Sequence, residues 1–228
     1  MVKTIVGSFS DSRSAHQAAD ALVADGFMRQ DISVVASNIL GDYTPDGRPL
    51  FFDEEPKKTE TETGAVAGGV LGGAAGLTAS LVGLAIPGLG PIVAVGPLIA
   101  MLSGVGAGAV AGGLIGALTR SGVPDEHAGY YAETVRRGGA IVILRADGSR
   151  AERAEEILRD SGAIDLEQRV LRWKDAGWQG WDSSVKPYTA EEAEHERRLY
   201  GAHADPLTGL PSTADPEGDA RRESTIRR

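Results

Sequence analysis

The chain has 228 residues, no cysteine and a formal net charge of −9. An acidic balance argues against nucleic acid as a partner, because duplex affinity comes from Lys and Arg neutralising phosphates, and the lack of cysteine removes disulfide and thiolate chemistry. The opening residues carry too short an apolar run for a signal peptide, so any membrane contact is expected from the interior.

Thr4–Phe9 reads as a strand, with Asp11 or Ser12 as the cap of a following helix. Ala15, Ala18, Ala19, Leu22 and Val23 recur at helical spacing, and Asp25-Gly26 ends that helix. Asp31–Ala36 reads as a second strand, which closes a first βαβ unit over residues 1–40. Residues 41–63 read as a loop, punctuated by Gly41, Pro45, Gly47, Pro49 and Pro56.

From Thr63 to Thr119 there is no Asp, Glu, Lys, Arg or His. Within that block glycine falls at Gly64, Gly68, Gly72 and Gly76, and again at Gly104, Gly108, Gly112 and Gly116. Four-residue spacing lines these residues along one helix face, where the missing side chains let another backbone approach. Two such runs across a turn at Pro87, Gly88, Gly90 and Pro91 predict an antiparallel glycine-zipper helical hairpin over 64–119. So many glycines make a poor helix in water, whereas in hydrocarbon the backbone has no other partner. The hairpin is therefore expected to enter or lie against a lipid bilayer. The competing expectation is a soluble hairpin that packs with copies of itself into a homo-oligomer. Lys57, Lys58, Arg120, Arg136 and Arg137 flank the block and the turn carries no charge, which places the rest of the protein in the cytoplasm by the positive-inside rule.

A helix from Pro124 to Arg137 follows, with Asp125 and Glu126 at its positive end and Arg136-Arg137 at its negative end. Shifting the sequence by 136 residues then repeats the opening pattern: strand Ala140–Arg145, cap Asp147-Gly-Ser149, buried face Ala151, Ala154, Ile157 and Leu158, and stop Gly162. With Leu166–Leu171 as a closing strand, residues 120–173 supply a second βαβ unit. The expected fold class is α+β: a ferredoxin-like duplicated βαβ domain, split by the glycine-rich hairpin and followed by a polar tail. The tail, residues 174–228, begins beside all three tryptophans, Trp173, Trp178 and Trp181. These either cover their own domain or serve as an interface anchor or dock for a protein partner. Thr189-Ala-Glu-Glu192 is a capping box that opens a short charged helix, and the residues after it have the composition of disorder.

Three stretches resemble the bacterial general stress protein 17M-like (heat-induced, YflT-like) domain family. They are Val6-Gly-Ser-Phe-Ser-Asp with Gly26-Phe27 and Asp31-Ile-Ser-Val, then Ala85–Ile92 followed by Gly96-Pro97, then Gly122-Val-Pro-Asp-Glu with Tyr130-Tyr and Gly138-Gly. The resemblance covers roughly residues 3–172, and it implies a role in bacterial stress tolerance without a reaction, cofactor or catalytic residue. The residues themselves agree: His16, His127, His195 and His203 have no metal-ligand spacing, no phosphate-binding glycine loop occurs, and no nucleophile has a base nearby. The expectation is a non-enzymatic stress-response protein without cofactor or metal. A small-ligand regulatory module is the remaining alternative, on fold analogy alone.

Overall fold

The computed structural model describes residues 2–44, 48–51, 82–86, 88–98 and 113–200. They form an α+β fold around a five-stranded antiparallel sheet. The strands are β1 (Val2–Phe9), β2 (Ile32–Ser37), β3 (Val82–Ile86), β4 (Gly90–Val95) and β5 (Ala140–Asp147), in the sheet order β1-β5-β2-β4-β3. The helices are α1 (Ser12–Ala24), α2 (Gly113–Arg120), α3 (Asp125–Arg136), α4 (Ala151–Asp160), α5 (Leu166–Asp175) and α6 (Ala190–Tyr200).

Both faces of the sheet are covered. Because side chains alternate along a strand, Ile32, Val34 and Ala36 of β2 face one core while Val35 faces the other. The first core lies beneath α1 and α4, with Phe9, Leu22, Val142, Leu144 and Leu158 among its members. The second lies beneath α2 and α3, around Ile92, Leu114, Leu118, Val135 and Ile141. α1 starts where predicted, with Asp11 accepting a hydrogen bond from the Ser14 amide at 2.8 Å. β1 and β2 are both antiparallel to β5, so they run parallel to each other with β5 inserted between them. This is a split β-α-β unit.

Three expectations need correction. The turn at Pro87–Pro91 joins two strands, not two helices: β3 pairs with β4, and β4 pairs with β2 through Val34↔Val95 and Ser37↔Ile92. Val93 and Val95 face one core and Ile92 and Ala94 the other, an alternation that fits a buried strand better than a lipid-facing helix. Residues 82–98 therefore belong to the sheet and cannot sit in a hairpin remote from it. Second, Leu166–Leu171 begins α5 and is not a strand. Asp165 caps it by accepting from the Gln168 amide at 3.1 Å, and Val170 and Trp173 fall on one buried helical face. Among the described residues the final strand of a ferredoxin-like arrangement is absent, and the β3–β4 hairpin extends the sheet instead. Third, the shift of 136 aligns the helices but not the strands. Ala15, Ala18 and Leu22 and their matches Ala151, Ala154 and Leu158 all lie in the first core. Ile5 faces that core while its match Ile141 faces the other, a slip of one residue that inverts every side chain of the strand.

Candidate functional site

The strongest concentration of buried charge lies where α3 meets the C-terminal segment. Glu133 is completely buried on α3, and its carboxylate is held by Arg136 and by Arg137 Nε at 2.5 Å. Three and four residues along a helix bring these groups together. Aromatic side chains from the C-terminal segment seal the cluster. Arg137 lies over the Trp173 ring at 4.6 Å and the Tyr188 ring at 5.1 Å, and Arg136 lies over Trp181 at 5.0 Å. Ring faces attract guanidinium groups, more strongly where water is excluded.

Glu196 of α6 closes the assembly. It accepts a hydrogen bond from Trp173 Nε1 at 2.8 Å, and lies 3.4 Å from Arg137 and 3.9 Å from Arg169. α6 itself starts with the predicted capping box: Thr189 N–H donates to Glu192 at 2.8 Å and the Glu192 amide donates back to Thr189. All three tryptophans thus pack within their own chain. Trp173 is 2% exposed, Trp178 stacks edge-on against Trp173 at 5.7 Å, and Trp181 packs against the second core. Between α5 and α6 the chain crosses the β3–β4 turn. A Cβ at Gly88 would meet the Ser183 backbone at 2.8 Å, and one at Gly90 would meet Pro187 at 3.0 Å. Both glycines have positive φ, as the turn requires.

A second cluster adjoins the first through α6. Arg197 reaches Asp42 at 2.8 Å, and Asp42 also accepts from the Ser12 hydroxyl at 3.0 Å. Beneath them His16 is 1% exposed and donates from Nδ1 to the Ser12 carbonyl at 2.9 Å, with Tyr43 and Phe51 rings at 5.9 and 5.4 Å. Burial holds the His16 pKa below its ordinary value, against the Ser12 bond and the nearby Asp20 charge. Burial likewise raises the Tyr43 phenol well above its usual value.

These groups are paired for structure. Glu133, Glu196 and Asp42 each face an arginine or an indole N–H, and no group of three or more His, Asp or Glu among the described residues could hold a metal ion. His127 lies 3.5 Å from Glu167, an exposed pairing. Gly64, Gly68, Gly72, Gly76, Gly104, Gly108, Gly112 and Pro87 lie outside the described residues, as does His203. Gly116 is half-buried on α2, and among the described residues a Cβ there would meet only the Arg120 guanidinium, at 3.4 Å. Sequence reasoning missed Glu133, Arg169 and Glu196. The spacing of Glu133, Arg136 and Arg137 was a readable signal, but nothing local announces a partner as distant as Glu196. No family model, no curated protein and no solved structure matches the chain.

Proposed function

We propose that this is a non-enzymatic bacterial stress-response protein of the general stress protein 17M-like type, which associates with the cytoplasmic surface of a membrane through its charge-free stretches. The two β-α units, β1–α1 and β5–α4, are read as the remnants of a duplication around which that surface attachment was built. The observation that carries the reading is the uncharged block Thr63–Thr119 together with the way its middle is anchored. Phe51, Val82, Leu98 and Gly113, the described residues on either side of 52–81 and of 99–112, all belong to one fold. Phe51 packs on the first core, while Leu98 and Gly113 are buried, Leu98 in the second core.

The described residues that flank 52–81 and 99–112 thus lie on one folded body. A spanning helix needs its ends on opposite sides of roughly 30 Å of hydrocarbon. A single crossing by 64–81 or by 99–112 would pull β3 or α2 out of the fold. Surface-lying segments meet no such conflict, with apolar side chains sunk about 5–10 Å into the headgroup boundary. Among the described residues no helix is long and apolar enough to cross a membrane.

Flotation with liposomes tests the association. Full-length protein is expected to float with the vesicles, and the double variant Leu71→Asp/Leu77→Asp to remain below. Wild-type protein that stays in the dense fractions as a soluble oligomer would favour self-assembly through the same stretches instead.

A further inference from the structure

We propose that the bilayer lies on the β3 side of the sheet, with the strand axes along its surface and the β1–α4 side turned away. The proposal rests on the membrane association above and adds the side and the tilt that this association takes. The side follows from charge. β3, β4 and α2 as far as Thr119 belong to the block without a charged residue. The fold brings them together: β3 and β4 are the last two strands of the sheet, and a Cβ at Gly113, the first residue of α2, would lie 4.0 Å from Ile86 of β3. At the β3–β4 turn the C-terminal segment adds one exposed charge of each sign, Asp182 and Lys186, beside Ser183 and Pro187. At the other edge α4 packs over β1, and Glu152, Glu155, Glu156 and Asp160 are exposed on it, among Arg153 and Arg159. Sinking such groups into the headgroup boundary costs their hydration, and anionic lipids repel the carboxylates. The uncharged side meets neither obstacle.

The tilt follows from the strand directions. Phe51 packs against His16 in the first turns of α1, at the end of the sheet where β1 and β2 finish. The Asn38 amide donates to the Pro91 carbonyl at 2.8 Å, which puts the β3–β4 turn at that same end, and Gly113 beside Ile86 returns to it. Val82 and Leu98 lie at the opposite end: Val82 pairs with Ala94, and the Leu98 amide donates to Ser33 at the start of β2. The described flanks of 52–81, and likewise those of 99–112, therefore stand one at each end of the strands. β4 has 6 residues and is about 20 Å long, whereas a surface-lying segment sinks only about 5–10 Å. Upright strands would hold one flank of each stretch far above the headgroups. Strands lying along the surface bring all four to one height.

The chain has no cysteine, so single labels on the full-length protein test the orientation. Ala85→Cys on β3, Pro97→Cys just beyond β4 and Glu155→Cys on α4 replace exposed residues, and each would carry a bimane fluorophore. The vesicles are phosphatidylcholine with phosphatidylglycerol, with and without a nitroxide on the lipid headgroup, and flotation separates bound from free protein. We expect the nitroxide to quench bound protein severalfold at Ala85 and at Pro97, and to leave Glu155 unchanged. Should Ala85→Cys not fold, Pro91→Cys replaces it, since Pro91 is its exposed partner across the hairpin; the contrast with Glu155 decides the side even without Pro97. Labelled protein that does not float overturns the association, and the orientation with it. Bound protein quenched equally at Glu155, or at neither Ala85 nor Pro97, overturns the side alone. Quenching at only one of Ala85 and Pro97 overturns the tilt.

Discussion

Gly96 stands just after β4 with φ at +91°, and a Cβ there would run into the Ile32 carbonyl and the Ser33 Cα. That close approach lets the Leu98 amide donate to Ser33 Oγ at 3.1 Å, which ties the end of β4 to β2. Gly162 has a similar φ of +86° but open space around it. Gly96→Ala is therefore expected to cost more than about 2 kcal/mol, from strain and collision together, and Gly162→Ala about 1 kcal/mol from strain alone. Urea unfolding of the two variants checks the difference. His16 gives a pH dependence at the same scale. Its folded pKa lies below the ordinary 6.5, so the unfolded chain binds the proton more readily. Stability should hold above about pH 6.5 and fall as pH drops below it, ahead of carboxylates that titrate near 4. His16→Asn should start less stable yet show a shallower slope between pH 6.5 and 5 in thermal melts; an equal slope would place the acid sensitivity elsewhere. Residue roles of this kind were only half legible. Ala15, Ala18 and Leu22 announce a buried face by period, and His16 lies inside that same face, but its burial depends on Tyr43 and Phe51 closing over it from a loop.

Among the elements, α5 shows how a short polar stretch misleads. Leu166, Val170 and Leu171 suggest a strand, yet Asp165 accepts from the Gln168 amide, with Glu167 in the first turn and Arg172 and Lys174 in the last. Each of these matches the helix dipole or its free amides. Asp165→Ala should cost about 1 kcal/mol and loosen Trp173, read as a drop in urea midpoint with an early change in tryptophan fluorescence. If the midpoint is unchanged, the cap is not what fixes α5. The hairpin β3–β4 misleads for the opposite reason. Its sequence is as apolar as the stretches around it and shares their glycines, so composition alone gave it their expected fate. The alternation of Ile92 and Ala94 with Val93 and Val95 was the available signal, and a fully buried strand shows it only as an unbroken apolar run. The capping box at Thr189–Glu192, the stop at Gly26 and the helix over Asp125–Arg136 were legible because each rests on local hydrogen bonds.

Across the whole molecule, the sheet gathers segments far apart in sequence: β5 lies between β1 and β2, and β4 lies on the far side of β2. If the proposed membrane association holds, that order constrains it, because the centre of the uncharged block is bonded into the fold and the C-terminal segment crosses over its turn. The absence of cysteine makes single-cysteine reporters clean. Thr63→Cys and Ser80→Cys bracket the first uncharged stretch, and Ser103→Cys lies in the second. Each variant would be bound to sealed liposomes and exposed to a membrane-impermeant maleimide from outside, with vesicle-free protein as the reference for reactivity. Surface association predicts that every position reactive in free protein and labelled after permeabilisation is also labelled before it, from the outer side. A Ser80→Cys that reacts in free protein and is shielded until the vesicles are permeabilised, while Thr63→Cys reacts throughout, would mean that the chain crosses the bilayer and would contradict the account.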